Sequence, residues 1–269
     1  MANKIILSRK GFDSANGGMA SPILPNGRLL SIPIPDDIEN ENNHIRYSDL
    51  KFNGLTFNEI INQLRLNHKE KDNLCHLDPD IFRSIKSREE NWEACFGQSE
   101  AALSHLDTQK VDKGDIFLFF GWYKKTEECE GKIKFKRGAK EQQIIFGYLQ
   151  VGDIARGEKV KKYGWHPHSK GYEKNNAIYV AAKYLMNTDL PGYGTFKVSS
   201  DLFLTKEGLT RSKWELPDCI KDSDITYHGS YSRKEGYFQS AMIGQEFVMD
   251  STPEIEKWIL SIVEKNRVE

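Results

Sequence analysis

Residues capable of chemistry gather in several short polar blocks. The first, residues 7–22, reads LSRKGFDSANGGMASP. Arg9 and Lys10 supply cationic donors there, while Gly11, Gly17 and Gly18 let backbone N–H groups approach a ligand with no Cβ in the way. Ser14 and Ser21 add hydroxyls, and Asp13 adds a carboxylate that could act as base, metal ligand or hydroxyl acceptor. This composition suits a phosphate-like anion. A polar surface loop with Arg9 and Lys10 in water explains it equally well. The order Gly-x-x-x-x-Gly-Lys-Ser/Thr is absent, as is Gly-x-Gly-x-x-Gly, so neither a Walker loop nor a dinucleotide turn is present.

The second block, HLDPD, contains His76, Asp78 and Asp80. In an extended chain these alternate residues share one face and could serve a divalent metal or proton transfer. The competing reading is a helix start, with Asp78-Pro79 as cap ahead of Ile81 and Phe82; both hold if only His76 and Asp78 face a site. In FGQSEAALSHL, Gln98 could hydrogen-bond a base edge or satisfy buried backbone, and His105 could exchange protons or cap a helix end. Trp165-His166-Pro167-His168 puts two imidazoles on one side of an extended stretch, which suits metal binding or proton transfer. Trp122 and Tyr148 could stack on a base or fill a core, and Arg211, next to Ser212, Lys213 and Trp214, could meet phosphate or lie in an exposed turn. The deaminase pair His-x-Glu with Pro-Cys-x-x-Cys, the Gly-x-Ser-x-Gly elbow and the kinase motifs are all missing.

These blocks need elements to position them. KIILS at residues 4–8 predicts a buried strand, and residues 27–34 predict another after the Pro25-Asn26-Gly27 turn. Residues 36–43, DDIENENN, predict a solvated loop. Thr56 and Glu59 have capping-box spacing ahead of Phe57, Ile60, Ile61 and Leu64, which predicts a helix. A second helix is expected over residues 89–106. From Gly114 the pattern turns to strands: DIFLFFGWY, GKIKFKR, QQIIFGYLQVGDIA, NAIYVAAKYLM, TFKVSS and DLFLT. A C-terminal helix over residues 253–266 is expected to dock on the sheet, boxed by Ser251 and Glu254, with Pro253 in its first turn. The fold class expected is α+β: a central, mostly antiparallel sheet that could curl into a barrel, flanked by helices, with residues 1–269 as one unit.

Lys and Arg (38) nearly balance Asp and Glu (39), so a basic protein that coats nucleic acid non-specifically is not supported. The four cysteines are dispersed, without a Cys-x-x-Cys pair, and read as reduced structural thiols. No apolar run approaches the roughly 20 residues of a membrane helix, and the N-terminal residues lack a signal-peptide pattern, so a cytoplasmic location is expected.

Taken in order, LSRKGFDSANGG with SPILPNGRLLSIPIP, HLDPD, FGQSEAALSHL with GDIFLFFGWY, IFGYLQVGDI, WHPH, NAIYVA, LTKEGLTRSKWELP and IGQEFVMD resemble the third of the nucleotide modification associated domain families. The resemblance runs from about Lys4 to Asp250 and implies a nucleotide or nucleic-acid setting in bacteria or phages, without fixing a reaction. The expectation is therefore an enzyme that modifies or processes a nucleobase or nucleotide, with DNA of bacteria or phages among its expected settings. In it Asp13, His76, Asp78 and His105 would be catalytic, and Arg9, Lys10, Ser14, Gly17, Gly18, Gln98, Trp122 and Arg211 would bind the ligand. A divalent metal, if used, would draw on His76, Asp78, His166 and His168. The rival readings are a non-catalytic binder that cages a modified base or nucleotide signal near Trp122 and Tyr148, and a metal-dependent nuclease or phosphohydrolase.

Overall fold

A computed structural model describes residues 2–36, 44–65, 72–170, 174–242 and 244–268. All of the expected acidic loop except Asp36 lies outside the described residues. The fold is α+β, built on a mixed nine-stranded sheet. Its strands are β1 (Lys4–Arg9), β2 (Ser21–Ile23), β3 (Cys95–Ser99), β4 (Ile116–Cys129), β5 (Lys132–Phe135), β6 (Glu141–Arg156), β7 (Asn176–Ala181), β8 (Tyr193–Thr195) and β9 (Glu246–Asp250). The main path runs β9–β1–β4–β6–β7–β3, with β2 and β5 along β4 and β8 along β6. Pairing is antiparallel except for β1 and β2 against β4. The long strands β4 and β6 share the register Glu141↔Lys124 to Gln150↔Ile116, with an irregularity between Ile145 and Gly147 that bends the pair.

The sheet does not close into a barrel: β9 and β3 are its ends. Side chains bridge the seam instead. Gln98 Nε2 on β3 donates to Glu246 Oε1 on β9 over 2.8 Å, and Lys10 Nζ, just beyond β1, donates to the same oxygen over 2.7 Å.

The helix α1 (Phe57–Leu64) forms as its spacing predicts: Thr56 Oγ1 accepts from Glu59 N, and Glu59 returns the bond to Thr56 N. Its apolar side, Phe57, Ile60, Ile61 and Leu64, packs into a second hydrophobic cluster with Phe12, Leu30, Ile32, Tyr47 and Cys75. The helix expected over residues 89–106 is instead a strand followed by a helix, β3 and then α2 (Glu100–Thr108). Cys95 and Phe96 go into the sheet because β7 offers them an unpaired edge, and tertiary pairing outweighs helical spacing. Residues 27–34 make only isolated bridges, Ile23↔Leu29 and Arg28↔Lys197, before Ile34–Pro35 pairs with Cys75–His76. Pro33 and Pro35 lack the N–H groups that a longer ladder needs.

The helix α3 (Pro253–Asn266) lays Ile255, Ile259, Ile262 and Val263 on the main core, which is built from β1, β4 and β6. Its cap is Thr252, which accepts from Ile255 N, rather than Ser251. Ser251 N is held by Asn3 O, in register with the β1–β9 pair. Among the described residues no helix is long and apolar enough to cross a membrane.

Candidate active site

The HLDPD segment is extended and no helix begins at Pro79. Cys75–His76 pairs with Ile34–Pro35, Asp78 N bonds His76 O at 2.8 Å, the Asp78-Pro79 peptide is cis, and Asp80 exchanges both backbone bonds with Cys95. This path divides the three polar side chains. Asp80 turns into the protein, where Arg88 binds both its oxygens at 2.7 and 2.9 Å and Trp92 Nε1 donates to it at 2.8 Å. His76 and Asp78 turn the other way, to meet His166 and His168.

The two histidines of WHPH sit on a turn rather than an extended stretch. His166 N bonds Tyr163 O, and Pro167–Lys170 forms a short 3-10 helix. His76 Nε2 and His168 Nε2 lie 3.2 Å apart, Asp78 Oδ1 lies 3.2 Å from His166 Nε2, and Asp78 Oδ2 lies 3.9 Å from His168 Nε2. One ligand atom each from His76, Asp78 and His168 falls within 4.8 Å of the others, a spacing a metal ion could bridge. His166 is fully buried, whereas the His76 side chain is 26% exposed and opens the cluster to solvent.

The cluster is held from outside. Asn176, the first residue of β7, donates from Nδ2 to His168 O at 2.9 Å and places Oδ1 2.6 Å from His168 Nδ1. Asp36 Oδ2 stands 3.5 Å from His76 Nδ1. Gly97 N on β3 donates to Asp78 Oδ1 at 2.8 Å. A side chain at Gly97 would not fit: a Cβ there would lie 2.3 Å from His168 Cδ2 and 2.9 Å from His166 Cε1.

Burial by itself would raise the pKa of Asp78. The His166 contact and the charges of His166, His168 and His76 outweigh it and bring the carboxyl down to about 2. Burial also disfavours the imidazolium of His168 and, despite attraction from Asp78, lowers its pKa to about 4. At neutral pH the site thus pairs an ionised carboxylate with a neutral imidazole, a combination suited to proton transfer or metal ligation.

A family model described as nucleotide modification associated domain 3 matches residues 4–250, which include every residue of this cluster. The chain belongs to that family. The family's description ties it to nucleotide modification. No curated protein and no solved structure matches the chain.

In this nucleotide modification associated domain 3 protein, the other residues singled out from the sequence lie elsewhere. Asp13 turns inward on its own loop: Oδ1 accepts from Ala15 N at 2.7 Å and Asn16 N at 2.6 Å, so the carboxylate occupies amides that a phosphate would need. Gly17 and Gly18 have φ of 89° and 66°, and Gly17 packs on the Phe12 ring. Arg9 donates to Ala241 O and Met242 O over the rings of Phe120 and Phe247. Lys10 is spent on Glu246 and lies 4.5 Å from the Phe96 ring centroid, and Gln98 is spent on the same carboxylate. His105 Nε2 meets Thr226 Oγ1 at 3.1 Å, and burial lowers its pKa despite Glu246. Ser14, Trp122 and Arg211 do come together: Arg211 stacks 3.8 Å from the Trp122 ring centroid and donates to Ser14 Oγ. Tyr148 is a core residue, stacked on Phe196, with its hydroxyl on Pro191 O.

Three contributors to the cluster were not singled out from the sequence: Asp36, Gly97 and Asn176. Gly97 carries a readable signal, since an isolated glycine in a strand marks close approach, but only once residues 95–99 are seen as a strand. Asp36 and Asn176 carry none, because each acts through a partner tens of residues away or across a strand end.

Proposed function

We propose that the protein is an enzyme that modifies or processes a nucleobase or nucleotide, with His76, Asp78 and His168 at its centre. The observation that carries this reading is the convergence of a buried carboxylate and three imidazoles from sequence blocks about 90 residues apart, within a family tied to nucleotide modification. A buried group of this kind costs folding free energy unless it is paired, and here the cluster has its most exposed edge at His76. His76, the most exposed member, is assigned the contact with the reacting group, and Asp78 the orientation and charge balance of the imidazoles.

Catalysis is favoured over caging of a base because Tyr148 lies in the core, stacked on Phe196, where it cannot wall a cage with Trp122. The stacked Arg211–Trp122 pair with Ser14 supports contact with phosphate or a base away from the reacting centre.

The test is mass spectrometry of nucleosides and nucleotides from cells with the gene, without it, and with His76→Ala, together with analysis of ligands that copurify. The expected result is a species that changes on deletion and changes equally with His76→Ala. Unchanged pools and no copurifying nucleotide would refute the reading.

A further inference from the structure

The two imidazoles at the centre of the cluster point their Nε2 atoms at each other from 3.2 Å. The protonation of His168 follows from what holds its opposite nitrogen. Asn176 Nδ2 donates to His168 O, which orients the amide and leaves Oδ1 as the acceptor facing His168 Nδ1 at 2.6 Å; that nitrogen must carry the hydrogen. Asp36 Oδ2 stands 3.5 Å from His76 Nδ1, on the side of the ring away from His168. With the rings so placed, both Nε2 atoms are aimed at one point, where a cation, either a metal ion or a shared proton, would join them. Imidazoles braced through Nδ1 by a carboxylate or a carbonyl are the usual second shell of a metal site.

The distances agree. Two nitrogens bound at ~2.0–2.1 Å to a tetrahedral zinc are about 3.3 Å apart. His166 differs from its neighbours: its Nδ1 accepts from His168 N at 3.2 Å, so its hydrogen is on Nε2, the atom that faces Asp78 Oδ1. It has no lone pair to offer the same point. Gly97 N–H also holds Oδ1, leaving Asp78 Oδ2 free of hydrogen bonds among the described residues and on the His168 side.

We propose that His76 Nε2, His168 Nε2 and Asp78 Oδ2 are three protein ligands of a divalent first-row transition metal such as zinc, and that His166 is a positioning residue for Asp78 rather than a ligand. Two imidazoles and one carboxylate suit zinc or iron(II) better than magnesium or calcium, which favour all-oxygen shells. Three protein ligands leave positions open for water or substrate, the pattern of catalytic rather than structural sites. This assignment rests on the same cluster as the proposed enzyme and supplies it with a cofactor.

The experiment is stripping the purified full chain with chelator, then titrating it with Zn²⁺ and Co²⁺, read by dialysis with elemental analysis and by the visible absorption of bound Co²⁺. One equivalent should bind the unmodified protein. His168→Ala and His76→Ala should each weaken binding by more than ~100-fold, Asn176→Ala by ~10–100-fold, and His166→Gln should keep one equivalent with the three-ligand Co²⁺ spectrum. Thermal unfolding checks that each variant is folded, and the stoichiometry of the unmodified protein is decisive even if one is not. Absence of stoichiometric binding would overturn the proposal in favour of a shared proton between His76 and His168. Loss of metal from a folded His166→Gln as complete as from His168→Ala would overturn the ligand assignment. Metal binding without any nucleotide change in cells would sink the enzymatic reading and leave the metal site standing, and the reverse would do the opposite.

Discussion

Replacing Gly97 with alanine is the most direct test of how the cluster is held. The backbone at this strand position tolerates alanine, so the effect is confined to one methyl group. That methyl would lie 2.3 Å from His168 Cδ2 and 2.4 Å from Cγ, against the ~3.5–4.0 Å of an ordinary carbon contact. The imidazole must therefore retreat by more than ~1 Å, or β3 must shift by as much. The ring cannot retreat freely, because Asn176 holds Nδ1 at 2.6 Å and His76 stands 3.2 Å from Nε2. Forcing a methyl into such a packed site costs roughly 1–3 kcal/mol. For a chain of this length that lowers Tm by about 2–12 °C. A displacement of ~1 Å at reacting groups costs on the order of 100-fold in rate. Gly97→Ala should thus fold, melt several degrees lower, and lose most of the nucleotide change seen with the unmodified gene. Thermal unfolding and nucleotide mass spectrometry read the two effects. Unmodified melting and full activity would show that His168 is not clamped against β3 and would refute the geometry from which the site is argued.

Three further outcomes are expected. Arg88→Ala leaves Asp80, which is 1% exposed, as a buried unpaired carboxylate; denaturant unfolding should show a loss of about 3–5 kcal/mol, and a loss below 1 kcal/mol would contradict the pairing. Asp13→Asn keeps an oxygen for the amides of Ala15 and Asn16, so function and stability should stay near those of the unmodified protein, whereas Asp13→Ala should cost about 1 kcal/mol; inactive but folded Asp13→Asn would reinstate Asp13 as a base. His228 is neutral in the fold: burial lowers its pKa, its Nδ1 faces Thr226 O, and its Nε2 accepts from Ala241 N. As pH falls below the ordinary histidine value of about 6.5 the unfolded chain takes the proton first, so this contribution to stability is present at neutral pH and lost on acidification. Comparing denaturant midpoints at pH 7.5 and 5.5, the drop should be smaller in His228→Gln than in the unmodified chain, and an equal drop would exclude His228 as its source.

Where a local signal and the tertiary environment agree, the sequence alone determined the outcome. The strand at KIILS, the capped helix after Thr56, the strands within residues 114–181 and the apolar stripe of the C-terminal helix are set by short-range periodicity and caps, whereas the expected strands TFKVSS and DLFLT form only the end of Tyr193–Thr195, a 3-10 turn at Ser200–Leu202 and isolated bridges to distant segments. Tertiary structure decided everything that depends on a partner far along the chain. Residues 95–99 have helical spacing but took the free edge of β7, and that change brought Gly97 against His168. Asp13 and Asp78 are both aspartates beside histidines or cations in the sequence, yet one caps its own turn and the other meets imidazoles from residues 166 and 168. Arg9, Lys10 and Gln98 have the chemistry of ligand donors, and the approach of β9 to β3 and β1 commits them to Glu246 and the carbonyls of Ala241 and Met242. A side chain's type and spacing state what it can do; which acceptor lies within 3 Å of it depends on how distant strands register, and that is settled only when the sheet assembles.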